Sequence, residues 1–244
     1  MSSFQTRRTV LIALASSPLA SLPLAARAQG TFTPRQGVEY QVLQAPQPVE
    51  SGDKIEVLEF FQYSCPHCYA FTPALEAWRK RMPADVAYRR VALSFAPEAA
   101  LHVRLYYTLG ALNKTDELHD KVFDAFHKQH RQLIEANDIA DFMASNGIDR
   151  AQWLATFNSF SVVTKSQQSG KIVAAYEVTG TPTVAIDGKY LTAPSMIQVA
   201  GGTDRAAAGD MARAGAISVM EYLIDRSRRE RHPGAPGTSA KKKS

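Results

Sequence analysis

The chain has 244 residues, 45% of them hydrophobic and 21% charged, which is typical of a globular protein with a sizeable core. Its formal net charge of +5 comes from its two ends, because residues 1–28 and 226–244 together hold ten of the 28 basic residues and only one of the 23 acidic residues. The chain between them has a net charge of −4. It therefore carries no basic footprint for a nucleic acid, and we expect none as a partner.

Residues 1–28 have the pattern of an export signal. Arg7 and Arg8 form a charged start, residues 9–25 are largely apolar, and residues 26–28 form a small-x-small cleavage site. Two prolines interrupt the apolar run and leave it too short to span a bilayer. We expect a cleaved signal peptide and a periplasmic protein, with the general secretory route favoured over the twin-arginine route. In that compartment a disulfide persists.

Three segments predict the strands of the first half. Polar and apolar residues alternate over 39–43, which predicts a short strand, and the apolar run over 55–62 predicts a central one. Residues 86–93 predict a second core strand, with Arg89 and Arg90 on its exposed stretch.

Helical patterns surround and follow these strands. Apolar residues recur at helical spacing over 66–82, where Pro73 is expected to kink the helix. Turn signals are sparse over 97–176, which predicts an inserted helical subdomain. Its predicted helices are 98–112, 116–128, 138–146, 150–158 and 162–176. Its predicted helix caps and stop are Asn137, Asp149 and Gly147.

A hairpin and a helix complete the predicted fold. Residues 181–186 and 189–191 predict two strands joined by a turn at 187–188, where Asp-Gly is a hairpin signal. An amphipathic helix is predicted over 205–228. Residues 232–244 are rich in Gly, Pro and Lys and have too little to bury, so they are predicted to be a disordered basic tail.

The only two cysteines, Cys65 and Cys68, lie between the predicted strand over 55–62 and the helix that follows it. Strand, short loop and Cys-x-x-Cys at a helix start form the context of a redox pair. A disulfide between residues three apart closes too small a loop to constrain the unfolded chain. The expected purpose of the pair is therefore thiol–disulfide exchange.

The residues around the cysteines predict a division of labour. Unpaired N–H groups and the positive end of the helix dipole would stabilise a thiolate on Cys65. His67 can add positive charge, and Pro66 suits the first helical turn because it lacks an N–H. Cys68, one turn further into the helix, is expected to be the more buried sulfur, which resolves a mixed disulfide formed by the nucleophile Cys65.

The Cys-Pro-His-Cys motif at 65–68 follows Leu-Glu-Phe-Phe at 58–61 and is joined later by Thr-Pro-Thr at 181–183. Together they resemble the DsbA family of periplasmic thiol-disulfide oxidoreductases, over roughly residues 39–225. The resemblance implies an α/β, thioredoxin-like fold, with a central mixed sheet, flanking helices and an inserted all-helical subdomain. DsbA is itself a known example of a low-pKa cysteine and a strong oxidant, so the oxidising direction is implied by this resemblance.

The resemblance also implies site residues outside the motif. Pro182 would be cis and packed against the active-site disulfide, and Thr181 would offer backbone hydrogen bonds to an extended substrate. Glu59 matches a buried acid beneath the motif, a proton acceptor for Cys68. Its burial also follows from strand alternation, because it shares a face with Val57 and Phe61.

The implied activity is donation of the Cys65–Cys68 disulfide to reduced, newly exported proteins through a mixed disulfide. The implied partners are those unfolded proteins and a quinone-linked inner-membrane reoxidase of the DsbB type. The protein is expected to be a monomer without a cofactor. A hydrophobic groove near the motif would hold substrates, and its candidate residues are Tyr63, Tyr69 and Phe71.

The predicted domain organisation follows from these patterns. Residues 29–96 and 177–231 would form the two parts of a thioredoxin-like domain. Residues 97–176 would form the inserted helical domain between them. The signal peptide over 1–28 and the tail over 232–244 would flank this body.

Other functions remain open on the residues alone. One is a disulfide isomerase or reductase of the same fold, and another is a peptide-binding chaperone with a vestigial thiol pair. A metal-binding or carrier module could use Cys65, Cys68 and His67, but zinc and copper sites generally recruit further ligands. We expect no metal, because the remaining histidines lack paired ligand spacing: His102, His119, His127, His130 and His232.

Overall fold

The computed structural model describes residues 32–199 and 205–233, and five strands among them form one sheet. The strands are β1 (Gln41–Val42), β2 (Ile55–Phe61), β3 (Val86–Ala92), β4 (Thr183–Ile186) and β5 (Tyr190–Thr192). Their order is β1-β5-β4-β2-β3. β2 pairs with β3 in parallel, and all other pairs are antiparallel, so the sheet is mixed as expected.

Seven α-helices accompany the sheet in the described residues. They are α1 (Pro66–Arg79), α2 (Ala100–Ala111), α3 (Thr115–His127), α4 (Ala136–Ser145), α5 (Arg150–Phe157), α6 (Phe160–Ala175) and α7 (Arg205–Arg231). Helices α2 to α6 follow one another between β3 and β4, where the sequence predicts a helical insertion. The division into domains at these points stays a prediction, and the predicted signal peptide and residues 234–244 of the predicted tail lie outside the described residues.

Strand β2 lies inside the sheet, between β4 and β3, and every one of its side chains is buried. Its alternating faces enter different parts of the core. Val57 packs with α1 and α7 through residues such as Trp78 and Leu223. Phe60, on the opposite face, packs beside Tyr176 at the end of α6. This period-two alternation places the end of β2, and hence the loop to α1, between two packed layers.

The helices α2 to α5 supply a third cluster of apolar side chains, and this cluster reaches the cysteine motif. Phe61 and Cys68 are part of it, together with Phe123 from α3 and Trp153 from α5. The start of α1 is therefore packed against the inserted helices as well as the sheet. None of the described helices combines the length and apolar character needed to cross a membrane.

The exposed position predicted for Arg90 is wrong. Its side chain is only 5% exposed, whereas that of Arg89 is 28% exposed. The parallel register pairs Glu59 of β2 with Arg90 of β3, and the two side chains form an ion pair. An internal partner of opposite charge makes burial of the guanidinium possible.

Two of the three predicted helix ends are confirmed. Asp149 caps α5, where its carboxylate accepts from the Gln152 N–H at 2.7 Å, and Gly147 follows α4 with φ of +87°. Asn137 does not cap α4, because the helix begins earlier, at Ala136, with Glu135 in the cap position. Helix α1 continues through Pro73 to Arg79.

The predicted hairpin is confirmed between β4 and β5. Asp187 and Gly188 both have positive φ, 56° and 65°, as a type I′ turn requires. Strand β4 begins at Thr183, two residues later than predicted, and the peptide bond before Pro182 is cis. The predicted first strand is also shorter in the structure, where β1 holds two residues.

Candidate active site

Cys65 is the N-cap residue of α1, and its backbone is extended, with φ of −83° and ψ of 115°. Its sulfur accepts a hydrogen bond from the Cys68 N–H at 3.4 Å, which satisfies one of the free donors at the helix start. Pro66 occupies the first helical position, where no N–H is needed. Both cysteines are free thiols, so the structure has the reduced form of the pair.

The two sulfurs differ in exposure, as predicted. Cys65 is partly exposed, whereas Cys68 is completely buried under the helical cluster. A substrate sulfur can therefore reach Cys65 but not Cys68.

The loop before β4 meets the motif from the opposite side. The Thr181–Pro182 peptide bond is cis, and the Thr181 carbonyl accepts a hydrogen bond from the Cys65 sulfur at 3.4 Å. The contact exists because β4 pairs with β2, so the residues before β4 lie beside the residues after β2. The predicted role of Thr181 towards a substrate chain stays a prediction.

The surroundings shift the two thiols in opposite directions. Hydrogen bonding with the Cys68 side chain is the largest cause that lowers the pKa of Cys65, and the Thr181 side chain and the backbone of Cys68 and His67 lower it further, to about 5. Burial is the main cause that raises the pKa of Cys68, and its hydrogen bond with Cys65 and the charge of Cys65 add to it. The thiolate is thus confined to the accessible sulfur.

Glu59 is buried, as predicted, at 2% exposure. Its carboxylate accepts from Arg90 Nε at 2.9 Å and from the Tyr88 hydroxyl. The pKa of Cys68 is set mainly by burial, by Cys65, by the Gln62 backbone and by the Thr181 side chain, and Glu59 is not among these main causes. Its assignment as a proton acceptor for Cys68 stays a prediction.

A family model described as DSBA-like thioredoxin domain matches residues 56–206, which is more than half of the chain. The chain belongs to this family. Both the expected fold class and the expected enzyme class, a thiol:disulfide oxidoreductase, are confirmed.

Named relatives support this assignment along most of the chain. Thiol:disulfide interchange protein DsbA of Pseudomonas aeruginosa is 36% identical over 192 residues, which cover 79% of this chain and 85% of that protein. DsbA of Bordetella parapertussis is 39% identical over 217 residues, with 88% and 96% covered. The crystal structure of P. aeruginosa DsbA superposes with a TM-score of 0.72 at 35% identity, covering 81% of this chain and 96% of that one.

His67, the family's motif histidine, is solvent-exposed at the first turn of α1. The Cys68 and Thr181 side chains make the larger contributions to the low pKa of Cys65, and a hydrogen bond from the His67 backbone lowers it further. Stabilisation of the thiolate by its imidazole stays a prediction.

Several contacts to the DsbA-type motif were missed at the level of sequence. The His127 ring donates from Nε2 to the Tyr63 carbonyl at 2.8 Å and stacks on Tyr69 at 4.8 Å. His119 Nδ1 lies 2.9 Å from the buried Tyr63 hydroxyl. Helix α3 thus supports both sides of the motif. Isolated histidines carry no sequence signal for such contacts. Gln62, whose side chain donates to Thr181 Oγ1 at 3.3 Å, could have been singled out because it ends the predicted strand next to the motif.

Two of the three groove candidates cannot line a DsbA-type surface groove, because Tyr63 and Phe71 are buried at 1% and 0% exposure. Tyr69 is partly exposed, and its hydroxyl donates to Asp124 at 2.9 Å. A cavity of about 460 Å³ does open beside the motif, with Ser64 on its wall. In residues 32–199 and 205–233, no group of three or more His, Cys, Asp or Glu is arranged to hold a metal ion.

Proposed function

We propose that this DsbA-family protein donates the Cys65–Cys68 disulfide to reduced, newly exported proteins. The observation that supports this direction is the opposite displacement of the two thiols, with the pKa of Cys65 lowered to about 5, mainly by its hydrogen bond with Cys68, and that of Cys68 raised by burial. A stable thiolate belongs only to the reduced form. Stabilising it favours the protein as an acceptor of electrons and therefore as an oxidant.

The proposed reaction has two exchange steps. A substrate thiol releases its proton to solvent, and the thiolate attacks the accessible Cys65 sulfur of the disulfide. The Cys65–Cys68 bond breaks, and Cys68 leaves with the electron pair and takes up one proton. A second substrate thiol then loses its proton and attacks the substrate sulfur of the mixed disulfide. Cys65 leaves as a thiolate, so the substrate gains a disulfide and the protein gains two electrons.

The size of the Cys65 pKa shift supports a role as an oxidant. At pH 7, a pKa of about 5, caused first by the Cys68 hydrogen bond, gives about a hundredfold excess of Cys65 thiolate over thiol. For a two-electron couple, a factor of one hundred raises the reduction potential by about 60 mV. Because Cys65 is partly exposed, solvent screening makes this value an upper bound.

The other site residues fit roles around these steps. Pro66 keeps the first helical turn free of an unused N–H, and His67 adds a titratable group beside the leaving thiolate. The Thr181 carbonyl contacts the Cys65 sulfur. Pro182 would pack against the active-site disulfide, and Thr181 would contact the extended substrate chain. Glu59 would exchange a proton with Cys68, because an ionised carboxylate is a proton acceptor.

Reoxidation reverses the electron flow and uses the same two sulfurs. The Cys65 thiolate attacks the disulfide of a reoxidase, and one reoxidase sulfur leaves. Cys68 then loses its proton and attacks Cys65, which closes the protein disulfide and releases the second reoxidase sulfur. We propose a quinone-linked inner-membrane protein of the DsbB type as this partner.

The proposed setting is the periplasm, where DsbA homologues act. The pattern of residues 1–28 supports export with a cleaved signal peptide, through the general secretory route in preference to the twin-arginine route. The protein would act as a monomer.

The experiment mixes the oxidised protein with a reduced, unfolded protein that contains two cysteines. We expect one substrate disulfide to form per protein molecule, as measured by mass spectrometry. Cys65→Ser should abolish the reaction. Cys68→Ser should abolish it as well, because neither variant can form the Cys65–Cys68 disulfide that is donated. Full activity of Cys65→Ser, or a reduction potential near that of thioredoxin, would contradict the proposed function.

A further inference from the structure

Gln62 lies between the end of β2 and the active-site loop and contacts both sides of the site. Its carbonyl accepts from the Cys65 N–H at 3.2 Å. Its side-chain amide donates from Nε2 to Thr181 Oγ1 at 3.3 Å, across 119 residues of sequence. It is partly buried, so the amide has limited access to water. One residue, through its carbonyl and its side chain, therefore connects the loop before Cys65 to the loop before the cis proline.

The sheet explains why these residues meet. In the antiparallel pair of β2 and β4, Phe60 lies opposite Thr183. Continuing this register by two residues from Phe60, one residue past the end of β2, places Gln62 opposite Thr181. Side chains directly opposite each other on neighbouring strands are close enough to interact. The contact is thus set by the same strand pairing that brings Thr181 to Cys65.

The chemistry of the contact gives the Thr181 hydroxyl a direction. A hydroxyl has one proton to donate and two lone pairs that accept, whereas an amide NH₂ only donates. Because Thr181 Oγ1 accepts the hydrogen bond from Gln62 Nε2, the hydroxyl proton of Thr181 is free to point elsewhere. We propose that Gln62 is a positioning residue, which orients the Thr181 hydroxyl so that it donates to the Cys65 sulfur. The order is Gln62 amide, Thr181 hydroxyl, Cys65 sulfur.

Two observations support this order. The Thr181 carbonyl already accepts a contact from the Cys65 sulfur at 3.4 Å, so the residue is within reach of it. After the larger contribution of the Cys68 side chain, hydrogen bonding by the Thr181 side chain is also a cause of the low pKa of Cys65. Hydrogen bonds in a chain polarise one another, so a donor at one end strengthens the bond at the other.

The inference rests on the proposed function for its importance, since it describes how the reduced site is stabilised. Its test does not depend on that function, because it titrates a thiol and needs no substrate. The readout is the absorbance of the Cys65 thiolate as a function of pH. If the Cys65 thiol titrates as expected but the protein does not oxidise a reduced substrate, the proposed function is contradicted and this inference is not.

The first variant is Gln62→Leu, which has similar size and cannot donate. We expect the pKa of Cys65 to rise, so that the thiolate-to-thiol ratio at fixed pH falls about three- to tenfold, the range of one hydrogen bond. The reduction potential should fall with it. Gln168→Leu, at an exposed glutamine of α6, is the matched control and should leave both quantities unchanged. Gln62→Met is the second variant if Gln62→Leu does not fold.

A double-mutant cycle distinguishes this role from a merely structural one. Thr181→Val removes the hydroxyl and keeps the shape of the side chain. If Gln62 acts through the hydroxyl, Gln62→Leu will not change the Cys65 pKa further in the Thr181→Val protein. An equal rise in both backgrounds, or no rise in the parent protein, would overturn the proposal.

Discussion

Arg90 and Glu59 form an ion pair inside the sheet, with Arg90 Nε 2.9 Å from Glu59 Oε2 and side chains only 5% and 2% exposed. Arg90 also contacts Glu76 Oε1 at 2.5 Å, so one guanidinium serves two carboxylates. A charge buried to this extent is stable only with a partner. Glu59 and Arg90 each lie two residues before the end of their strand.

The first prediction concerns this pair. Arg90→Met should lower the free energy of unfolding by about 3–5 kcal/mol, because it leaves the buried Glu59 carboxylate without its cationic partner. Urea unfolding of the oxidised protein measures the change. Replacing both members, with Glu59→Met and Arg90→Met together, should recover part of the loss, since no buried charge of the pair is then left alone.

Arg150→Met is the matched control for that prediction. Arg150 pairs with Asp141 at 2.7 Å, but the two side chains are 45% and 62% exposed. Water screens such a pair, and its loss should cost less than about 1 kcal/mol. An equal effect of the two arginine substitutions would show that the buried pair has no special weight.

The burial of Arg90 illustrates which features of the fold local sequence patterns can predict. Strand β2, helix α1 and the turn at Asp187 and Gly188 were predictable, because a few adjacent residues carry each signal. The position of Arg90 depends on the register of two strands about 30 residues apart, and a charged residue in an alternating pattern is normally exposed. Only the partner Glu59, whose burial was predicted, hinted at a buried cation.

The same contrast, between signals carried by adjacent residues and contacts between distant residues, holds for the active site. Cys65, Cys68 and Pro182 could be singled out from the sequence because their motifs are short and specific, and the cis bond that the family resemblance implied is present. Their roles in the reaction stay predictions. The supporting contacts from His119 and His127 could not be found, because they depend on how α3 packs against the motif. Groove residues were also beyond reach, since strand and helix periodicity do not distinguish a deeply buried aromatic from one that lines a surface.

The second prediction concerns Gly188 in the hairpin turn. Its φ is +65°, and an added Cβ would collide with the Gln47 carbonyl. Gly188→Ala should therefore destabilise the protein by more than the roughly 1 kcal/mol expected from positive φ alone. Gly147→Ala is the control, because Gly147 also has positive φ, +87°, but open space around its Cα. Thermal unfolding that gives equal losses for both would mean that the turn moves away from Gln47.

The third prediction concerns the pH dependence of stability. Burial is the main cause that places the pKa of His119 well below 6.5, and Arg90 and Arg79 add repulsion. Below about pH 6.5 the unfolded chain takes up a proton at this histidine that the folded protein refuses. The free energy of unfolding should therefore fall as the pH falls through this range, by up to about 1.4 kcal/mol per pH unit.

Urea unfolding of the oxidised protein at pH 7.5 and pH 5 measures this loss without any titration of Cys65. His119→Gln should have a shallower dependence on pH than the parent protein, even though its stability is lower throughout. His232→Gln, at an exposed position near the end of α7, should keep the parental dependence. The idea fails if His119→Gln and the parent lose the same free energy between the two pH values.

The last prediction concerns the reduction potential. Hydrogen bonding with Cys68 is the largest cause of the Cys65 pKa of about 5, and burial keeps the Cys68 thiol protonated across the neutral range. Below pH 5 reduction should take up two protons with two electrons, and above pH 5 only one. The potential should then fall by about 59 mV per pH unit below the break and by about 30 mV per unit above it.

Equilibration with glutathione redox buffers between pH 4 and pH 8 measures both slopes. Thr181→Val should move the break to higher pH, because it removes one hydrogen bond to the thiolate while both cysteines remain. The sign follows from the stabilisation of the Cys65 thiolate in the reduced protein. This stabilisation is complete above the pKa that the thiol has in the unfolded chain, and it is lost as the pH falls through the lower pKa of Cys65 in the folded protein. A single slope of about 59 mV up to pH 8 would mean that Cys65 has an ordinary thiol pKa, and the oxidising direction would then need another cause.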